Sequence, residues 1–217
     1  MVKMLIKTKF RNLIYRILIK TRRGVGLNIV MTFACNFNCS NCGLKIPNNE
    51  YPKEKHRASL DSWKKFIKEF PLKIKDVAIS GGEPTLYPDA IEFINWLIDE
   101  GYIVSVYTNL SNENLLKFRR SLRLKINATY HKESGKRDAW IERYNRLRKY
   151  YKINSYQIEH NDFEFKSDTL NLLQKTDTIN HPQKNRIHVG PDLRIFTSCF
   201  DKMNYYKKDK RSLFDNE

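Results

Sequence analysis

A cluster of cysteines constrains this sequence more than any other feature. Three of the four cysteines, Cys35, Cys39 and Cys42, lie within the eight residues CNFNCSNC, with the spacing C-x3-C-x2-C. Thiolates are soft ligands that favour iron–sulfur clusters, zinc or copper(I). An ordinary four-iron cluster takes four cysteines, so a site with three leaves one iron open to a small molecule. The cluster therefore predicts a metal centre with an open position.

A pair of glycines follows the second apolar segment of the chain. Residues 76–80 (DVAIS) are typical of a buried strand, and Gly81, Gly82, Glu83 and Pro84 come directly after them. Glycine allows the backbone to approach a ligand closely. A carboxylate beside it can accept a charge-assisted hydrogen bond from an ammonium group. This turn is therefore a second candidate binding element.

The two motifs, in this order and strand context, resemble those of the radical S-adenosylmethionine (radical SAM) enzymes. The resemblance implies that Cys35, Cys39 and Cys42 bind three irons of a [4Fe-4S] cluster, and that S-adenosylmethionine (SAM) chelates the fourth. It implies that one electron from the cluster cleaves SAM, and that the resulting 5′-deoxyadenosyl radical takes a hydrogen atom from the substrate. The turn at 81–84 is then expected to bind the amino group of SAM. Activity should be sensitive to oxygen.

The resemblance points to further SAM contacts. Thr108 and Asn109 follow the third predicted strand, and Thr129 lies near the end of the fourth. An ordinary strand-to-helix turn is the alternative for the first two. Asn41 stands where many relatives have an aromatic residue. The resemblance implies that the Asn41 backbone contacts the adenine of SAM, but its side chain is not expected to pack on adenine. His131 is expected to make local hydrogen bonds rather than to act as a catalytic base.

The fourth cysteine, Cys199, follows a predicted strand and the Gly190-Pro191-Asp192 turn. Some relatives carry a cysteine near the end of the core that binds an auxiliary cluster or acts on substrate. The resemblance therefore makes Cys199 a candidate catalytic residue. A single cysteine cannot hold an auxiliary cluster alone, and a buried, unreactive thiol is the simpler interpretation.

Strand-like and helix-like segments alternate along the chain. Strands are predicted at 27–31, 77–80, 103–107, 124–130 and 156–160, with two short strands at 187–189 and 193–197 around a tight turn. Helices are predicted at 60–70, 88–100, 113–122, 137–151 and 168–174. This alternation indicates an α/β fold with a parallel sheet and right-handed crossovers, too short for a closed eight-stranded barrel. The resemblance implies a partial (β/α)6 TIM-like barrel.

We expect three regions: an N-terminal basic amphipathic helix (1–25), a radical SAM core (26–200) and a basic C-terminal tail (201–217). A basic amphipathic helix can lie on an anionic membrane surface, although packing against the core is the preferred interpretation. The helix at 137–151 mixes basic and aromatic residues. It could bind nucleic acid through phosphates and stacking, but we prefer an outer helix with its aromatic rings inward.

The net charge of the 217 residues is +16, with an isoelectric point of about 9.7. This favours an anionic substrate or partner, with a lysine-rich solvated surface as an equal alternative. No apolar run approaches the ~20 residues of a membrane span, and no signal peptide is expected. We therefore expect a cytoplasmic protein, where thiols stay reduced.

The sequence thus predicts a radical SAM enzyme that acts on a peptide or protein, a nucleotide or a small metabolite. It would receive electrons from a donor such as flavodoxin or ferredoxin. A glycyl-radical activating enzyme is a narrower alternative. The rival class is a non-enzymatic zinc module that binds nucleic acid, with Cys199 as the fourth ligand. That class leaves the turn at 81–84 unexplained.

Overall fold

The computed structural model describes residues 24–39, 57–132, 136–158 and 186–196. Its elements are, in chain order, β1 (Val25–Thr32), α1 (Leu60–Lys68), β2 (Ile74–Gly81), α2 (Ala90–Asp99), β3 (Ile103–Thr108), β4 (Leu124–His131), α3 (Arg137–Leu147), β5 (Lys152–Ile158), β6 (Arg186–Val189) and β7 (Ile195–Phe196). Two short 3-10 helices span Pro84–Leu86 and Glu113–Lys117.

The described strands form one sheet in the order β5-β4-β3-β2-β1-β6-β7. All neighbouring pairs from β5 to β6 are parallel, which confirms the predicted α/β architecture. The exception is β7, which pairs with β6 in antiparallel fashion. The link between them is a tight turn closed by a hydrogen bond of 2.8 Å from the Gly190 N–H to the Arg194 carbonyl. A turn this short cannot make the crossover that a parallel pair needs.

One face of the sheet is apolar and carries the core. Its strand side chains pack with helix residues Trp63, Phe93 and Leu97 in one buried cluster, to which the strands contribute Leu27, Ile29, Val77, Ile79, Val104, Val106 and Ile126. Alternate strand residues point to opposite faces of a sheet. The core therefore lies between the sheet and its helices.

The alternate strand positions include apolar residues, such as Val30 and Ala78, and several polar side chains that bond to one another across the sheet. The Ser80 hydroxyl donates to Asn28 Oδ1 at 3.1 Å, and Asn28 Nδ2 lies 3.3 Å from His188 Nδ1. On the other half of the sheet, Asn154 Nδ2 donates to Asn127 Oδ1 at 3.2 Å. The second face of the sheet thus carries two groups of polar side chains that exchange hydrogen bonds.

An ion pair crosses three strands where they begin. Gly26 on β1 is in register with both Asp76 on β2 and Arg186 on β6. The Arg186 guanidinium reaches across β1 to pair with the Asp76 carboxylate, and it donates to the Leu27 carbonyl at 2.9 Å. A Cβ at Gly26 would lie 3.0 Å from Arg186 Cγ. Glycine at this position leaves room for the arginine side chain.

Three of the predicted helices are confirmed in position, as α1, α2 and α3. Ser59 caps α1, since its hydroxyl accepts the Ser62 N–H at 3.2 Å. On α3, Trp140 and Tyr144 are buried with stacked rings whose centroids are 5.3 Å apart. The outer-helix interpretation is therefore confirmed for these two rings, whereas Tyr150, beyond the end of the helix, is 43% exposed. The helix ends at Leu147 rather than at residue 151.

The helix predicted at 113–122 is wrong. Only the 3-10 turn Glu113–Lys117 forms. Asn95 on α2 explains the end of this turn, because its amide donates to the Lys117 carbonyl at 3.1 Å and accepts the Arg119 N–H at 2.6 Å. These bonds to a side chain replace the ones that a continuing helix would make.

The fifth strand begins at Lys152, four residues before the predicted start at 156. Its first residues, Lys152 to Ser155, are mostly polar and lack the apolar run used to identify the other strands. The predicted N-terminal helix, the helix at 168–174 and the C-terminal tail lie outside the described residues. No helix in the described part of the chain is long and apolar enough to cross a membrane.

Candidate active site

Four chain segments meet at the carboxyl ends of β1 to β4. The cysteine loop follows β1, the glycine turn follows β2, Thr108 and Asn109 lie at the end of β3, and β4 ends at His131. Parallel strands place their carboxyl ends along one edge of a sheet, which is where open α/β folds bind ligands. The sequence motifs singled out above are therefore neighbours in space.

The cysteine loop holds two half-buried thiols in the described residues. The Phe37 backbone N–H donates to Cys35 Sγ at 3.4 Å, and Cys39 Sγ lies 3.2 Å from His131 Nδ1. The loop starts with the Thr32 hydroxyl accepting the Ala34 N–H at 3.0 Å. Both thiols therefore have a nitrogen partner that can donate to sulfur.

The glycine turn is bonded directly to the cysteine loop. The Gly82 N–H donates to the Thr32 carbonyl at 3.0 Å, and the Glu83 N–H donates to the Ala34 carbonyl at 2.8 Å. A Cβ at Gly82 would lie 2.2 Å from the Ala34 oxygen, closer than side chains tolerate. The glycine pair thus permits a close approach, and the backbone approached in this structure is the cysteine loop.

The Glu83 carboxylate is fully buried, with 0% exposure. Its Oε1 accepts the Thr85 N–H at 3.1 Å, the Thr85 hydroxyl at 2.6 Å and the Thr108 hydroxyl at 2.8 Å. Its Oε2 accepts the Asn109 N–H at 2.7 Å. A carboxylate has about four acceptor positions. Glu83 therefore joins the glycine turn to the end of β3.

Burial raises the pKa of the Glu83 carboxyl above its ordinary value, and the hydrogen bonds from Thr85, Asn109 and Thr108 oppose that rise. Desolvation disfavours the charged form, whereas donors that point at a carboxylate favour it. Burial is the larger effect here. The four donors nevertheless match the hydrogen-bonding pattern of an ionised carboxylate.

Asn109 ties the same network to the cysteine loop. Its Nδ2 donates to Asn36 Oδ1 at 3.0 Å, and its Oδ1 accepts the Ser111 N–H at 2.9 Å. Leu110, which lies between Asn109 and Ser111 in the chain, has a φ of 58°, a left-handed conformation that is strained for a leucine. The loop after β3 is therefore fixed in one conformation, in which it is hydrogen-bonded to Asn36 of the cysteine loop.

His131 and Thr129 lie at the end of β4. The His131 ring meets the Phe37 ring edge to face, with centroids 5.6 Å apart. Burial lowers the pKa of His131, which favours the neutral imidazole. Thr129 is half-buried two residues earlier. His131 was expected to make local hydrogen bonds, but its contact to Cys39 spans 92 positions of the chain.

The donor set fits an iron–sulfur cluster. Sulfur ligands select such clusters, zinc or copper(I), and hydrogen bonds to the sulfurs are a regular feature of cluster sites. Cys35 and Cys39 each have a nitrogen partner of this kind. Cys42, the third predicted ligand, lies outside the described residues, and within them no three metal-binding side chains gather at one point.

A comparison with protein families decides which kind of site this is. The sequence model described as the radical SAM superfamily matches residues 29–158, more than half of the chain. The chain belongs to the radical SAM superfamily. Members of this family are enzymes that use a [4Fe-4S] cluster and SAM. The matched segment contains the cysteine loop, the glycine turn and the ends of β3 and β4.

Two curated radical SAM relatives match part of the chain. A 7-carboxy-7-deazaguanine synthase of Clostridium acetobutylicum is 35% identical over 104 residues, which is 44% of this chain and 43% of the relative. A Methanocaldococcus jannaschii protein whose name describes a glycyl-radical enzyme activating enzyme is 34% identical over 82 residues, 37% of this chain and 30% of that protein. This chain therefore matches less than half the length of each relative.

Solved structures of SuiB from Streptococcus suis share the fold. The structure bound to S-adenosylmethionine has a TM-score of 0.50 at 12% identity, and it covers 88% of this chain and 45% of SuiB. The structure bound to the precursor peptide SuiA has a TM-score of 0.53 at 14% identity, and it covers 88% and 47%. The likeness supports the partial-barrel architecture of the described sheet.

The structure brings together most of the residues predicted from sequence. Gly81, Gly82, Glu83, Pro84, Thr108, Asn109 and Thr129 lie at the same sheet edge as Cys35 and Cys39. Asn41, Cys42 and Cys199 lie outside the described residues. Sequence reasoning missed Asn36 and Thr85. A buried carboxylate needs nearby donors, so the threonine two residues after Glu83 was the available signal.

Proposed function

We propose that the protein cleaves SAM reductively and starts radical chemistry on a substrate. Cys35, Cys39 and Cys42 would hold the [4Fe-4S] cluster. When bound, the cluster supplies the electron that breaks a carbon–sulfur bond of SAM and yields a 5′-deoxyadenosyl radical. The observation that carries the proposal is the hydrogen-bonded unit formed by the cysteine loop, the glycine turn and the end of β3.

In this proposal Glu83 positions the site. The carboxylate is fully buried, and each of its oxygens accepts hydrogen bonds from the protein itself. It fixes Thr108 and Asn109, and through Asn109 it fixes the cysteine loop at Asn36. Oε2 accepts a single hydrogen bond and keeps an acceptor position, but Glu83 has 0% exposure, so direct contact with the SAM amino group requires the residues that cover it to move. The remaining predicted SAM contacts are the backbone of the glycine turn, Asn41, Thr108, Asn109 and Thr129.

The substrate belongs to one of three classes: a peptide or protein, a nucleotide or a small metabolite. The relatives are named for a deazaguanine synthase and an activating enzyme, and SuiB was solved with a precursor peptide. Their shared property is the radical chemistry rather than one substrate. The net charge of +16 favours an anionic substrate or partner. We propose a cytoplasmic location and an electron donor such as flavodoxin or ferredoxin.

Anaerobic reconstitution tests the proposal. The purified protein is loaded with iron and sulfide, reduced with dithionite and mixed with SAM, and 5′-deoxyadenosine is measured by mass spectrometry. We expect about four irons and four sulfides per chain, and formation of 5′-deoxyadenosine. Cys39→Ala should lose both properties, because it removes a ligand.

Cys199→Ala is the matched control. In the cluster site Cys199 is not a ligand, so this variant should keep its iron and sulfide. In a zinc site with four cysteine ligands it should weaken metal binding. One zinc per chain, lost in Cys199→Ala and without SAM cleavage, would refute the proposed function and support the zinc module.

A further inference from the structure

The contact between Cys39 and His131 joins the cysteine loop to a strand far away in sequence. Cys39 Sγ and His131 Nδ1 are 3.2 Å apart although the residues are separated by 92 positions. A cysteine that binds a metal does so as the thiolate, which accepts hydrogen bonds and has no proton to donate. The proton in this contact therefore has to come from Nδ1 of His131.

The histidine ring is held in the orientation that this contact requires. Its backbone belongs to β4, whose last pairing with β5 is His131 with Ile158. Its ring packs edge to face on Phe37, which lies between the two cysteines in the loop, at a centroid distance of 5.6 Å. The donor is thus fixed both by the sheet and by the loop that it contacts.

We propose that His131 raises the reduction potential of the cluster by donating a hydrogen bond from Nδ1 to the Cys39 thiolate. The reduced cluster carries one more electron than the oxidised one, so a donor at a ligand sulfur stabilises the reduced form more. This inference rests on the proposed function, because it requires the cluster. It makes His131 a positioning and tuning residue that touches a ligand rather than the substrate.

The consequence concerns the balance between electron supply and SAM cleavage. A higher potential makes the cluster easier to reduce by a physiological donor, but it lowers the driving force for transferring that electron onward. His131 would therefore help to set the potential range in which the protein works. The Phe37 donor to Cys35, at 3.4 Å, is a backbone N–H. His131 donates from its side chain instead, so a substitution can remove the hydrogen bond.

A matched pair of variants tests the inference. Asparagine and leucine have similar size, and the amide nitrogen of asparagine lies near the position of Nδ1 in histidine. The reconstituted wild-type, His131→Asn and His131→Leu proteins are titrated potentiometrically without SAM, with the reduced cluster followed by EPR spectroscopy. We expect the leucine variant to favour the oxidised cluster by about tenfold, which is about 59 mV for one electron. The asparagine variant should lie closer to wild type.

Pulse EPR provides a second readout on wild-type protein with 15N-labelled histidine. A coupling between 15N and the reduced cluster that His131→Asn removes would support the contact, and this holds even when His131→Leu fails to retain a cluster. Three results would overturn the inference about His131 and leave the proposed function intact. They are equal potentials in wild type and the leucine variant, equal shifts in both variants, and the absence of a 15N coupling. A wild-type protein that binds zinc and no cluster would overturn the proposed function as well.

Discussion

Among the described residues of the candidate site, Glu83 receives more hydrogen bonds than any other side chain. Replacing it by glutamine keeps the shape but turns one acceptor into an NH2 donor. Either orientation sets that donor against a backbone N–H, of Thr85 on one side or of Asn109 on the other. We expect Glu83→Gln to lower the free energy of unfolding by about 1–3 kcal/mol, measured by urea denaturation of the metal-free protein at neutral pH.

The control for this prediction is Glu92→Gln. Glu92 makes an exposed ion pair with Lys64 at 2.9 Å, and its side chain is 63% exposed. Exposed pairs contribute at most about 1 kcal/mol and often nothing. If the two variants lose equally little stability, then Glu83 does not join the turn to β3 as the structure indicates.

The contribution of Glu83 to stability should also depend on pH. Burial raises the pKa of its carboxyl above the ordinary 4.5, so the folded protein holds this proton in a range where the unfolded chain has released it. Stability falls with rising pH wherever the folded state binds more protons. We expect wild type to lose stability relative to Glu83→Gln as pH rises from about 4.5 through the folded pKa.

Urea midpoints of both proteins at closely spaced pH values measure this difference. Subtracting the two curves removes the titration of the other groups, which the proteins share. Above the folded pKa the difference should become constant. A difference that instead grows in favour of wild type over this range would show that the hydrogen bonds outweigh burial and lower the pKa.

At the scale of elements, a side chain at Gly82 in the glycine turn should clash with the cysteine loop, and a single substitution tests this. A Cβ at Gly82 would lie 2.2 Å from the Ala34 carbonyl oxygen and 2.4 Å from that of Phe33. Gly82→Ala should therefore push the turn away from the cysteine loop and lower the free energy of unfolding by about 2 kcal/mol or more. Because the loop carries the proposed cluster ligands, iron retention after reconstitution should fall as well.

Gly101→Ala separates this clash from the general effect of replacing a glycine. Gly101 has a φ of 88°, but nothing lies within 4 Å of the position that a Cβ would take there. It should show only the backbone strain, about 1 kcal/mol, with full iron retention. Equal losses in both variants would mean that the close approach at Gly82 is not what requires glycine.

The helices and strands could be predicted from sequence where their burial determines the pattern of apolar residues. Strands β1 to β4 are rich in buried apolar residues, and helices α1 and α2 repeat apolar residues at helical spacing, so their positions follow from sequence. The pattern failed at 113–122, where Asn95 on a neighbouring helix ends the turn. It also missed the start of β5, where Lys152 pairs with Lys125 of β4. Both errors come from tertiary partners that a local window does not contain.

The candidate site was predictable to a different degree. Motif spacing indicated the cysteines and the glycine turn, because the chemistry needs those residue types at those intervals. The partners Asn36, Thr85 and His131 acquire their roles only when β1, β2, β3 and β4 end side by side. A hydrogen bond across 92 positions has no local signature.

At the scale of the whole molecule, the two ends of the sheet carry different groups of interacting side chains. The carboxyl ends of the strands carry the candidate active site, and the opposite ends carry the ion pair of Arg186 and Asp76 across Gly26. Their side chains are 21% and 20% exposed. Arg186→Met or Asp76→Asn should lower the free energy of unfolding by about 1–3 kcal/mol, because each leaves a mostly buried partner unpaired.

A double-mutant cycle decides whether this pair acts as one unit. The double variant should lose less than the sum of the single losses, with a coupling of about 0.5–3 kcal/mol between residues in contact. Iron bound per folded chain should stay at the wild-type level in all three variants, because the pair lies at the end of the sheet opposite the cysteines. Additive losses would argue against the ion pair, and loss of iron from a folded variant would show that the two ends are coupled.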